Sequence, residues 1–119
     1  MKPGATGLTR LVHATRYSWL GLKAAWKNEA AFRQEVALVV GLGIVSLFLP
    51  VTALERLAMV GSLWWIIIVE LLNSAIEAVV DRIGSERHEL SGRAKDMGSA
   101  AVLLSTIMAA CVWIGILWH

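Results

Sequence analysis

Apolar positions along the chain follow two rhythms. Between residues 7 and 28 they recur at helical spacing. Leu8, Leu11, Val12, Trp19, Leu22 and Trp26 share one face, and Thr15 fills the gap between Val12 and Trp19. Arg10, Arg16, Lys23 and Lys27 lie mostly elsewhere. This pattern predicts an amphipathic helix with aromatic anchors and a basic side, suited to lying in an anionic membrane interface. Further on, the rhythm gives way to continuous apolar runs. Val36 to about Leu49 is uncharged and stops at Pro50, with Ala30 to Phe32 able to lengthen it. Leu57 to Val80 carries only Glu70 and Glu77, and Met97 to Trp118 carries no charge. A membrane helix needs about 20 such residues. Three spans are therefore predicted, at about 29–49, 57–80 and 97–118, the first being the shortest. The expected fold is all-α and integral to the membrane. A surface helix at 1–28 and three transmembrane helices form a single membrane domain over 1–119, with 81–96 connecting the last two spans.

Composition supports the bilayer as solvent. The 119 residues are 57% hydrophobic, far more than a soluble domain of this length can hide. No secretory signal peptide is expected, because the N-terminus lacks an apolar core followed by a small-residue cleavage site. The basic residues suggest an orientation. Lys2, Arg10, Arg16, Lys23, Lys27 and Arg33 precede the first span, and Arg82, Arg87, Arg93 and Lys95 lie in the 81–96 connection. The 50–56 connection has only Arg56. Both basic regions are thus expected in the cytoplasm, and the C-terminus at His119 outside. A net charge of +2 is too small to argue for nucleic acid. The lone Cys111 rules out an intramolecular disulfide and reads as packing.

Candidate chemistry begins with the polar positions of the second span. At about 100° per residue, Glu70, Asn73, Ser74, Glu77 and Asp81 fall within a stripe about 100° wide. An ionisable group inside a membrane helix costs roughly 2.5 to 3.5 kcal/mol on insertion scales, so the stripe is a functional hypothesis. Glu29 is spaced i, i+4 from Arg33, as in a surface ion pair. Alternatively, Glu29 lies at the membrane depth of Glu77, where two carboxylates need a proton or a cation such as Mg²⁺ between them. In the connection, Gly84 and Gly92 are expected turn points. The segment matches neither the Walker loop nor the dinucleotide glycine pattern. Lys95 with nearby arginines offers charge for phosphate, and Glu86 and His88 offer polar contacts. A boundary lysine and a solvated histidine are the plain alternatives. Ala101, Ser105 and Ala109 form a small-residue stripe expected to pack against another helix. Without further information, a proton-coupled transporter or a polar seam gluing helices explains Glu70 as well as an enzyme does.

Longer runs narrow the choice. Glu70-Leu-Leu-Asn-Ser-Ala-Ile-Glu-Ala-Val-Val-Asp81, Arg82-Ile-Gly-Ser-Glu86 and His88-Glu-Leu-Ser-Gly-Arg-Ala-Lys-Asp-Met-Gly-Ser-Ala100 closely resemble the small bacterial membrane diacylglycerol kinases, as do Asn28-Glu-Ala-Ala-Phe-Arg-Gln-Glu35 and Tyr17-Ser-Trp19. The resemblance implies a homotrimer in the bacterial inner membrane that moves the ATP γ-phosphoryl group to diacylglycerol, giving phosphatidic acid. It implies Glu70 as catalytic base, with Asn73 positioning it, and Glu29 and Glu77 as Mg²⁺ ligands that also meet ATP. Arg10, Tyr17, Glu86, His88, Lys95 and Asp96 are the other implied nucleotide contacts. Arg10, Ser18, Trp19, Glu70 and Ser99 are implied on the lipid side. Arg87 departs from the aromatic residue of enterobacterial members at the adenine contact, and the turn Leu49-Pro50-Val51 also differs. Undecaprenol kinases belong to the same family and are the alternative within it.

Overall fold

The structure, a computed structural model, describes residues 6–84, 86 and 88–118. Arg87, His119 and the first five residues of the expected surface helix lie outside the described residues. Within them the chain forms four helices: α1 (Gly7–Asn28), α2 (Ala30–Ser46), α3 (Ala53–Ile83) and α4 (Glu89–Leu117).

One residue separates α1 from α2. Glu29 takes an extended conformation (φ −118°, ψ 104°) and caps both helices, its N–H donating to the Ala25 carbonyl. The last carbonyls of a helix need outside donors, and Arg33 supplies them: its guanidinium donates to the carbonyls of Trp26 (2.6 Å) and Lys27 (3.4 Å). The Arg33 side chain therefore ends α1, and no Glu29–Arg33 ion pair forms among the described residues.

Helix α2 ends at Ser46, earlier than the apolar run. Phe48 and Leu49 donate to the carbonyls of Val45 and Ser46, i→i−3 bonds that tighten the chain into a turn. Arg56 reaches back from the first turns of α3 to satisfy this end, donating from Nε to the Ser46 carbonyl (2.9 Å) and from Nη2 to that of Leu49 (3.1 Å). Helix α3 starts with a reciprocal cap. The Thr52 N–H donates to the Glu55 carboxylate at 2.9 Å, and the Glu55 N–H donates to the Thr52 hydroxyl at 3.1 Å.

The apolar run 57–80 lies inside α3, and 97–117 inside α4. Both helices, of 31 and 29 residues, are long and apolar enough to cross a membrane. Helix α2, with 17 residues, rises only about 26 Å. Gly92 is a correction to the sequence reading: it is helical, because α4 begins at Glu89 rather than after the connection. Gly84 does end α3.

The chain measures 50 × 42 × 22 Å, about two helix diameters at its thinnest. Most helices therefore keep one face uncovered. Helix α3 is central, packing against α4 most extensively and against α2 next. Ala25, Phe32, Val39, Leu63, Ile66 and Ala109 meet in the core. Outward-facing Trp64, Ile68, Leu72, Leu103 and Leu104 remain exposed.

Because lipid tails are as apolar as leucine, close contact and hydrogen bonds drive association of such helices. Helix α4 presents Gly98, Ser105 and Ala109, all buried, towards the bundle. Ala101, expected in that stripe, is exposed instead, since the buried positions step by 7 and 4 from Gly98. Three of the buried serines satisfy themselves on their own helices. Ser46, Ser62 and Ser105 donate to the carbonyls of Gly43, Met59 and Val102. Within the apolar part of the α3–α4 contact, Trp113 Nε1 donates to the Met59 carbonyl at 3.0 Å. Trp113→Phe keeps most of the ring and removes the donor. It should destabilise the fold by about 1 kcal/mol, read as a lower thermal midpoint in detergent micelles; an unchanged midpoint would deny the bond a structural role.

Candidate functional site

The polar stripe of α3 faces inward. Glu70 is 4% exposed, and Asn73 and Ser74 are equally well buried, while Glu77 is half-buried. From Glu70 to Asp81 the stripe climbs about 16 Å along the helix. Each member meets a different environment.

Glu70 makes no hydrogen bond and no ion pair among the described residues. The charges acting on it are the carboxylates of Glu35, Glu77 and Glu29. Glu35 lies on α2, where an acid near the start of a helix reads as a boundary charge; no local spacing links it to Glu70. Asn73 donates from Nδ2 to Glu77 Oε1 at 3.1 Å, so its bond goes to Glu77 rather than to Glu70. Asn73 Oδ1 is buried without a partner. Such an acceptor costs about 1–3 kcal/mol. At the end of the stripe Asp81 holds Lys95 of α4 at 2.8 Å. Both side chains are exposed, so this pair adds little stability, but it fixes where the ammonium stands.

Two openings flank the stripe. The first, about 720 Å³, lies between α1 and α3 and is lined by Ser18, Ala25, Glu29, Leu71, Ser74 and Ala78. Glu29 thus faces the stripe side of α3, while the Ser18 hydroxyl donates to the Ala14 carbonyl of its own helix (2.8 Å). Ser74, which drew no role from sequence, is the α3 hydroxyl in this opening. The second, about 350 Å³, lies at the junction of α3 and α4 and gathers Asp81, Glu86, His88, Ser91 and Lys95. His88 caps α4 by accepting the Leu90 N–H on Nδ1 at 3.0 Å. A neutral ring then carries its proton on Nε2, leaving that N–H free to donate.

Other expected residues stand apart. Trp19 lines a separate apolar groove with Trp26, Phe32 and Val36. Arg10 is exposed on α1, as is Tyr17, whose ring tilts against His13 at 6.3 Å. Asp96 lies with Arg93 and Met97 in a hollow separate from that of Lys95, and Ser99 is exposed. One chain brings together Glu70, Asn73 and Glu77, and separately Glu86, His88 and Lys95. It does not bring Arg10, Tyr17, Asp96 or Ser99 to them.

The donors at the stripe are hard oxygens. They suit Mg²⁺, which commonly takes one or two carboxylates and fills its shell with water and substrate phosphate. No group of three or more acidic, histidine or cysteine side chains is arranged as a metal cage among the described residues. Glu77 keeps its second oxygen free of hydrogen bonds, and Glu29 borders the α1–α3 opening. Each of these two carboxylates has the hard-oxygen chemistry that such an ion takes.

Residues 16–117 match the family model described as prokaryotic diacylglycerol kinase. The chain is 57% identical over 118 residues to the diacylglycerol kinase of Escherichia coli (strain K12), covering 99% of this chain and 97% of that protein. It is 53% identical over 113 residues to that of Haemophilus influenzae, covering 95% and 96%. It is 51% identical over 114 residues to that of Pseudomonas aeruginosa, covering 96% and 93%. The chain belongs to the prokaryotic diacylglycerol kinase family.

Asn73→Ala removes one hydrogen bond and one orphaned acceptor together, two effects of about 1 kcal/mol and opposite sign. The thermal midpoint should stay level or rise. A fall worth 2 kcal/mol or more would mean that the amide is structural.

Proposed function

We propose that this member of the prokaryotic diacylglycerol kinase family transfers the γ-phosphoryl group of ATP to diacylglycerol, giving phosphatidic acid. The observation that carries the reading is a buried, unpartnered Glu70 on the same helix face as the Asn73–Glu77 pair, in a chain so close to proteins named diacylglycerol kinase. A polar seam would leave no buried acid unpaired, and a proton carrier would give the Glu77 and Lys95 ends of the stripe nothing to do.

Depth divides the work. Glu70 precedes Glu77 on α3 by about 10 Å and lies deeper, on the side where a lipid's glycerol hydroxyl would stand. There Glu70 accepts the hydroxyl proton as that oxygen bonds to the γ-phosphorus, and the bond to the ADP oxygen breaks. Phosphoryl transfer asks the protein mainly for positioning and charge stabilisation, plus a carboxylate to receive the proton. Asn73 holds the Glu77 carboxylate by its hydrogen bond. Glu77 and Glu29 would hold Mg²⁺, which when bound neutralises phosphate charge. Lys95, anchored by Asp81, and the His88 Nε2–H face the nucleotide, with Glu86 beside them. Ser18, Trp19 and Ser99 border the lipid side.

The same reading takes the chain as a three-span protein of the bacterial inner membrane, α2 with its following turn forming the short span. The basic α1 and the α3–α4 junction lie in the cytoplasm, where ATP is. A homotrimer would account for the thin single chain, with an adjoining copy bringing Arg10, Tyr17 and Asp96 to a cleft that one chain alone does not give them.

Purified enzyme should turn over diacylglycerol much faster than undecaprenol when both are assayed side by side. Preference for undecaprenol would reassign the substrate, and no lipid-dependent release of ADP would overturn the kinase reading. Glu70→Gln should lower turnover on the order of 10²- to 10⁴-fold while ATP still binds; near-normal turnover would eliminate Glu70 as base. Glu77→Gln should raise the Mg²⁺ concentration needed for half-maximal rate.

A further inference from the structure

Helix α4 comes close to Asn73 at Gly98. Gly98 is buried there, and a Cβ built on it would run into Asn73 Oδ1 and lie 3.3 Å from Asn73 Cγ. No other glycine of α4 is so confined. Gly92 and Gly115 have nothing within 4 Å of such a Cβ. The Asn73 amide is thus held from two sides. Its Nδ2 donates to Glu77 Oε1 at 3.1 Å, and its Oδ1 stands against the α4 backbone without a hydrogen bond. On that second side contact alone sets the amide's place, because no donor draws the oxygen.

We infer that Gly98 is a positioning residue for the reaction: the missing side chain sets where the Asn73 amide stands, and through it the aim of the Glu77 carboxylate. This rests on the roles given above to Asn73 and Glu77. A glycine needed only for close helix packing is the competing explanation. That role would weaken the α3–α4 contact generally when a methyl is added, whatever residue faces it. The positioning role is specific to the amide. An added methyl displaces Oδ1, and with Nδ2 bonded on the far side the shift passes to Glu77. The substrate hydroxyl is not touched.

Gly98→Ala should therefore lower kcat about tenfold or more, in line with the effect of small displacements at reacting groups, and raise the Mg²⁺ requirement. The KM for diacylglycerol should stay unchanged. Gly115→Ala, on the same helix, should match the unsubstituted enzyme throughout. Thermal unfolding in micelles reads the contact without any turnover. Gly98→Ala should lower the midpoint in the natural chain and have no effect in an Asn73→Ala chain, where the struck atoms are gone. If Gly98→Ala alone does not fold, the Asn73→Ala/Gly98→Ala chain should, and failure of both overturns the inference. Equal midpoint losses in the two backgrounds, or an unchanged kcat and Mg²⁺ dependence, also overturn it. Wild-type turnover tests the kinase reading separately, so the two failures are distinguishable.

Discussion

A helix that carries Glu70, Asn73, Ser74 and Glu77 cannot show that face to hydrocarbon, where each charge costs several kcal/mol. Much of the architecture answers this constraint. Helix α3 turns the polar face inward and leaves Trp64, Ile68, Leu72 and Val79 exposed. Helix α4 meets it with Gly98, Ser105 and Ala109, residues small enough for the two backbones to lie close. The same requirement explains why α3 is central, packed against both α2 and α4.

Polar groups divide cleanly into those the fold satisfies and those it does not. Arg33 and Arg56 complete the carbonyls at two helix ends, three buried serines bond back to their own helices, and the Trp113 indole finds the Met59 carbonyl. Against this background Asn73 Oδ1, buried without a partner among the described residues, stands out, as does Glu70, which is 4% exposed and makes no hydrogen bond among them. Buried groups left without partners lower stability, and they concentrate where a protein keeps capacity for a ligand. Their position on one face, between an opening towards α1 and a cleft towards Lys95, suits two substrates of opposite character.

The carboxylates around Glu70 carry a second message. Glu29 at the α1–α2 joint and Glu35 on α2 act on it together with Glu77. So much negative charge gathered beside one helix face is unfavourable unless cations or protons join it. Four cationic side chains are committed elsewhere: Arg33 and Arg56 to carbonyls, Arg93 to Glu89 and Lys95 to Asp81.

Local periodicity determined a great deal. The extent of α1, the inward stripe of α3 and the two long apolar helices were legible because each depends on residues near one another in the chain. Motif spacing likewise singled out Glu70, Asn73 and Glu77. What depends on register between helices was not legible. Arg33 looked like a partner for Glu29 but ends α1; Gly92 looked like a turn but lies within α4; Ala101 looked like packing but faces outward. Nor did any local pattern set Glu35 against Glu70, Gly98 against Asn73, or Lys95 against Asp81. Helical spacing says which side chains share a face, whereas which face meets which is set by the close approach of one helix to another, and that distance is a property of the packed bundle.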